Sequence, residues 1–222
     1  MDDLVRQALA KWPDVPDCTG WLALDARGRW RIGDANDGPR LPITNAGMIA
    51  FINRNYQSAG RSWFFQNGPQ RVFVELEYTP FVWRLHPGAS GGADLITHTG
   101  VRLAPSSVWL DDEGRFLVEA LAPTGETIVG VIHDHDTALV AELLRDDDGD
   151  PLDDDAISQL VSNGVRETAT KTGHVAHVQW IAADATSVLL PLQRIASHQV
   201  AGRFGFEPRP STALPVDPNT QR

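Results

Sequence analysis

The chain has 222 residues, a formal net charge of −10 and a single cysteine, Cys18. That length buries a sizeable core without metal or disulfide support, and one cysteine excludes an intrachain disulfide. Residues 134–155 hold ten acids against Arg145 alone, so the charge marks one solvated segment. No basic stripe is visible, which sets nucleic-acid binding aside.

The opening MDDLVRQALAKW is acidic where a secretory signal begins basic, and no stretch has the length of a membrane-spanning helix. The expectation is a cytoplasmic protein with no membrane partner. Leu4, Val5, Ala8 and Leu9 fall at helical spacing, stopped by Pro13 and Pro16. WLALDARGRWRI reads as a hairpin turning at Asp25–Gly28 with Trp21 and Trp30 in its strands. Between Thr44 and Tyr56 the spacing of Met48, Phe51, Ile52 and Tyr56 predicts a helix over one face of a sheet, capped by Thr44 or Asn45. Asn67-Gly68-Pro69 then separates an aromatic strand from a long alternating one, and Pro80 interrupts before a strand resumes at Phe81.

A second unit opens with SSVWLDDEGRFLVEALAPTGETIVGVI, three strands joined by turns at Asp111–Gly114 and Pro123–Glu126. Setting LALDARGRW beside VWLDDEGRF aligns Leu24 with Leu110, Asp25 with Asp111, Gly28 with Gly114, Arg29 with Arg115 and Trp30 with Phe116. Thr137–Leu144 and the run from Asp153 or Asp154 to Gly164 read as helices around an acidic loop. Strands follow over 175–190, a helix is expected over 191–200 after Pro191, and the Pro-rich tail from Glu207 is expected to be disordered. The fold class is α+β: two small related units with antiparallel, hairpin-rich sheets, each covered by one or two helices. The divisions are 1–104, 105–206 with the acidic loop, and a tail over 207–222.

The order GRW, Pro42-Ile43, FINRNY and GPQRVFVELEYTPFVWRL resembles an uncharacterised proteobacterial family of unknown function. It is similar, more distantly through PQRVFVELEYTPFV, to a second uncharacterised family. That resemblance implies two related α+β domains, the second superficially like pleckstrin-homology folds. It also implies a site for a nucleotide-like signal and no assigned reaction.

Three constellations could carry chemistry. Trp63, Gln66, Asn67, Gln70 and Arg71 surround the Asn-Gly-Pro turn, where amides and a guanidinium suit a small polar ligand; the bland alternative pairs Arg71 with Glu75 or Glu77. His133 and His135 would share one face if their strand continued, with Asp136, His174 or His177 completing a metal site; the alternative is a polar strand end. The acidic segment could meet a basic protein partner. Gly88-Ala89-Ser90-Gly91-Gly92 matches G-x-S-x-G without the strand-turn-helix context that motif needs. An EF-hand register on Gly149 puts Leu144 and Asp155 at its first and last positions, which calcium does not suit. The reading preferred is a non-enzymatic ligand-binding protein in signal transduction, without cofactor. The alternatives are a metal-dependent hydrolase using His133 and His135, and an acidic scaffold.

Overall fold

The computed structural model describes residues 1–34, 38–87, 93–162, 176–181 and 186–210. The chain forms two compact units. The first comprises Met1–Asp25, Trp30–Glu77 and Phe206–Arg222, and the second Ala26–Arg29 and Tyr78–Gly205.

In the first unit, helix α1 (Asp3–Lys11) precedes β1 (Cys18–Leu24), which turns into β2 (Trp30–Ile32) and β3 (Leu41–Pro42). Helix α2 (Ala46–Arg54) follows, then β4 (Tyr56–Ala59), β5 (Ser62–Asn67) and β6 (Gln70–Leu76). The Asn45 side chain accepts from the Met48 amide and starts α2 as its composition predicts. The six strands lie in the order β3-β2-β1-β6-β5-β4, with β1 and β6 parallel and the other pairs antiparallel. Alternation sends Leu22, Leu24, Trp30, Val74 and Leu76 into the core. α2 closes on β5 through an edge-to-face pair of Phe51 and Phe65, centroids 5.3 Å apart.

The second unit contains β7 (Phe81–Pro87), β8 (Ala93–Thr97), β9 (Arg102–Leu103), β10 (Pro105–Asp111), β11 (Phe116–Leu121) and β12 (Thr127–Ile132). After a 3₁₀ turn at Asp134–Asp136 come α3 (Thr137–Ala141), β13 (Leu144–Arg145), α4 (Asp154–Ser162), β14 (His177–Ile181), β15 (Ser187–Ile195) and α5 (Val200–Arg203). Nine strands run β13-β14-β15-β10-β11-β12-β7-β8-β9. Six of them, β12-β11-β10-β15-β14-β13, repeat the order of the first sheet. Orientations repeat as well: β10 is antiparallel to β11 and parallel to β15, as β1 is to β2 and β6. A helix follows the third strand in both, α2 in one and α3 in the other. Leu24 faces Trp30 as Leu110 faces Phe116. Strands β7, β8 and β9 extend the second sheet beyond β12, which is parallel to β7.

Three expectations change. No helix follows Pro191: β15 runs through it to Ile195, because Leu190 and Leu192 alternate inward at the strand period, and the Leu192 amide donates to the Ala176 carbonyl. Only the turn at Ser197–Gln199 and α5 are helical there. The strand before His133 stops at Ile132, and the histidines enter the 3₁₀ turn. The tail does not begin at Glu207: the Glu207 amide donates to the Arg61 carbonyl, and the Leu76 amide to that of Pro208. Residues 211–222 lie outside the described residues. Among the described residues, no helix is long and apolar enough to cross a membrane.

Candidate functional site

The register of the first sheet builds a polar cleft. Ala23 on β1 stands opposite Arg31 on β2 and Glu75 on β6, so these three side chains form one cross-strand row on a single face. The adjacent row, Leu24 with Trp30 and Leu76, faces the core. Ala23 is small, and the space above it is part of a cleft of about 340 Å³ that Arg40, Glu77 and Arg209 also line.

Arg40 is fully engaged in holding the cleft's shape. Its two terminal nitrogens meet both Glu75 carboxylate oxygens at 3.0 and 2.8 Å, while Nε and Nη2 donate to the Gly33 and Gly20 carbonyls. The Arg40 hydrogen bonds hold the Glu75 carboxyl below its usual range, against the effect of partial burial. Arg31 donates through Nε to the buried Asp25 at 3.1 Å and through Nη1 to the Arg40 carbonyl. Among the described residues, neither Nη2 of Arg31 nor the exposed Arg209 guanidinium makes a hydrogen bond. Arg209 reaches the cleft because the β6 edge beyond β5 bonds residue 208 of the tail.

Around the Asn-Gly-Pro turn, the five residues diverge. Trp63 is core, packed beside Tyr56 with centroids 5.0 Å apart. Gln66 is buried, and its Nε2 donates to the Gly68 carbonyl at 2.9 Å. Asn67 pairs with Gln70 across β5 and β6, and the Gln70 side chain donates to the Pro16 carbonyl. Arg71 sits over the Phe64 ring at 5.3 Å and borders a hollow shared with Asp14 and Asp17. Two of the five therefore face inward. Neither Glu75 nor Glu77 forms an ion pair with Arg71; Glu75 belongs to Arg40.

The histidine cluster closes differently from the expected strand arrangement. His133, Asp134 and His135 each bring one donor atom to within 4.8 Å of the others. The His133 and His135 rings meet edge to face, centroids 4.8 Å apart. His133 is buried, and desolvation together with the Arg84 charge pushes its imidazole below the ordinary value. Asp136 turns away from the group, accepting from Arg84 Nε at 2.6 Å and the Leu85 amide at 3.0 Å. Burial raises its pKa, but those bonds outweigh burial and hold it below the carboxylate range. Asp134 takes the place expected of Asp136, while its Oδ2 accepts from Arg27 Nε at 2.9 Å. His177 lies on β14 near Asp147, 3.7 Å away. His174 and the Gly88–Gly92 motif lie outside the described residues.

In the acidic segment, Asp146 Oδ1 accepts the Asp148 and Asp150 amides, and Asp153 caps α4 through the Ala156 amide. These are turn and cap roles. A further cavity of about 430 Å³ lies between β8–β9 and β14–β15, with Trp180 and Val188 on its wall and the 2.8 Å Asp94–Arg102 pair among its lining. Those strands come from opposite ends of the sheet order, so the sheet curls far enough for both ends to line one space.

The family model DUF2944, described as "Protein of unknown function (DUF2946)", matches residues 1–211. The chain belongs to this family. No curated protein matches it. Among solved structures, a DUF1285 family protein from Silicibacter pomeroyi DSS-3 is similar at 14% identity, with 87% of this chain and 96% of that one covered and a TM-score of 0.37. A DUF1285 family protein from Shewanella baltica OS155 is similar at 15% identity over 53% of this chain and 87% of that one, TM-score 0.33.

Reading the sequence missed Arg31, Arg40 and Arg209 as one group. The signal available was the alternation of Arg31 and Glu75 against Trp30 and Leu76; the contribution of Arg209 lay hidden in a Pro-rich tail.

Proposed function

We propose that the protein binds a small ligand bearing one carboxylate or phosphate in the cleft of the first unit, and acts as a binding protein rather than an enzyme. The observation that carries the reading is the pair of guanidinium edges, Arg31 Nη2 and Arg209, that make no hydrogen bond among the described residues, over a cleft in which Arg31 Nε already pairs with Asp25 and Arg40 with Glu75. Guanidinium donors recognise planar oxyanions through two parallel bonds. Arg31, Arg40 and Arg209 balance Asp25, Glu75 and Glu77, so a single anionic group suits the cleft better than a polyphosphate. Described side chains lining it include no serine, cysteine or histidine, which supports binding over turnover. A nucleotide-like ligand and a role in signalling are the finer form of the proposal, supported by a volume within the range of small-molecule sites.

Thermal-shift screening of nucleoside monophosphates, dicarboxylic acids and inorganic phosphate, followed by calorimetry, tests this. A nucleoside monophosphate is expected to raise the melting temperature, and Arg209→Ala to weaken its binding about tenfold. Silence across the panel, or unchanged affinity in Arg209→Ala, overturns the proposal.

A further inference from the structure

We infer that His133, Asp134 and His135 form a binding site for a first-row divalent cation of the zinc or nickel type. Two imidazoles and one carboxylate are the donor set such ions select, and three protein ligands leave positions open for water. The site is built by the local fold. Ending β12 at Ile132 and turning tightly through Asp134–Asp136 sets the two rings edge to face and keeps one donor atom of each of the three side chains within 4.8 Å of the others.

The spacing within the cluster fits a cation. His133 Nδ1 lies 3.1 Å from the His135 amide nitrogen and 2.9 Å from Asp134 Oδ1. A proton on Nδ1 makes the approach to Asp134 a hydrogen bond, and a cation takes that proton's place. Metal bonds of about 2.1 Å at right angles place two donors about 3 Å apart, which is the spacing found here.

Arg27 opposes the ion. Its guanidinium holds Asp134 through Nε and Nη2, and both side chains are about half exposed. A cation therefore shares the Asp134 carboxylate with Arg27, which limits affinity without closing the site. Asp136 is no competitor, being committed to Arg84 and the Leu85 amide.

The experiment is isothermal titration of tag-free protein with zinc chloride and with nickel chloride, with circular dichroism to confirm that each variant folds. One equivalent is expected to bind. His135→Ala, an exposed position, is expected to weaken binding at least about tenfold, since even outer partners of metal ligands contribute that much. Arg27→Ala is expected to tighten it about twofold to fivefold, by removing a partly exposed ionic competitor. No binding at 100 μM metal, in roughly the range of weak sites, overturns the inference. So does binding that survives both His135→Ala and Asp134→Ala, because the ion would then sit on other histidines. Neither readout involves the cleft around Arg31, so loss of one proposal leaves the other standing.

Discussion

Trp83 lies across Gly130. A Cβ on Gly130 would stand 2.6 Å from Trp83 Nε1 and 2.8 Å from the Phe81 carbonyl oxygen. The indole passes over β12 to donate to the Val118 carbonyl at 3.0 Å, and Val118 is the residue Gly130 faces on β11. The centre of the nine-stranded sheet thus depends on one missing methyl. Gly130→Ala is expected to cost about 3 kcal/mol in chemical denaturation, the upper range for overpacking. Gly202→Ala, in α5 with open space around it, is expected to be neutral or to stabilise by up to about 1 kcal/mol. Equal effects of the two changes would contradict the packing described.

The two D-x-x-G hairpins differ in what surrounds their glycines. Gly28 and Gly114 both have positive φ, +75° and +78°, so alanine costs about 1 kcal/mol at either from backbone strain. A Cβ at Gly28 would also meet His98 Cβ at 2.8 Å and Val82 Cβ at 3.3 Å, atoms fixed to the backbone. At Gly114 it would meet only the Val161 Cγ1 methyl at 3.0 Å, which can rotate away. Gly28→Ala should therefore lower the urea midpoint more than Gly114→Ala, by about 1–2 kcal/mol of stability. The reverse order would show that the matched turns are held by other contacts.

Asp111 is the keystone of the second hairpin. Its Oδ1 accepts the Glu113 and Arg115 amides at 2.9 and 2.8 Å, and its Oδ2 accepts Tyr78 Oη at 2.6 Å and Arg115 Nε at 2.7 Å. Arg115 also lies 3.8 Å over the Tyr78 ring. Desolvation, then the Asp111 hydrogen bond, pushes the Tyr78 phenol far above its ordinary value. Tyr78→Phe removes one bond to a charged acceptor and is expected to cost about 1.5–2 kcal/mol. Asp111→Ala strands several donors and is expected to cost more, about 3–4 kcal/mol. Thermal melts of the two variants check the ranking.

His98 gives the fold a pH dependence above the carboxylate range. Burial pushes its imidazole down to about 3, while the unfolded chain protonates near 6.5. Below pH 6.5 the unfolded state binds a proton that the folded state refuses, so stability is complete above that pH and declines as pH falls toward 3. The slope for one proton is about 1.4 kcal/mol per pH unit. His133, also lowered by desolvation, adds to it. Denaturation free energies measured between pH 6.5 and 4.5, above the range where Asp136 acts, should show this decline. His98→Asn keeps an acceptor for the Val82 amide and should remove about one proton from the slope; an unchanged slope would refute the assignment.

Much of this architecture was legible because it rests on local chemistry. The Asp25–Gly28 and Asp111–Gly114 turns need an Asp acceptor and a glycine at positive φ, and both requirements show in a few adjacent letters. Asn45 as a cap and the three strands from Pro105 to Ile132 follow from the same short-range rules. Pro191 misled because a proline after an apolar run suggests a helix start, whereas the pairing of β15 with β14 and β10 fixed a strand through it.

The sequence by itself determined the α+β class, the matched hairpins and the adjacency of His133, Asp134 and His135, since each arises within a turn or a period of side chains. Only the tertiary structure decided the parallel joins β1–β6 and β10–β15, which set Arg31 and Glu75 on either side of Ala23. It also decided that residue 208 bonds the β6 edge and that Asp136 serves Arg84 while Asp134 stays with the histidines. Those choices depend on which strand edges and donors remain unsatisfied after the sheets assemble, a property of residues far apart in the chain and invisible in any one stretch of it.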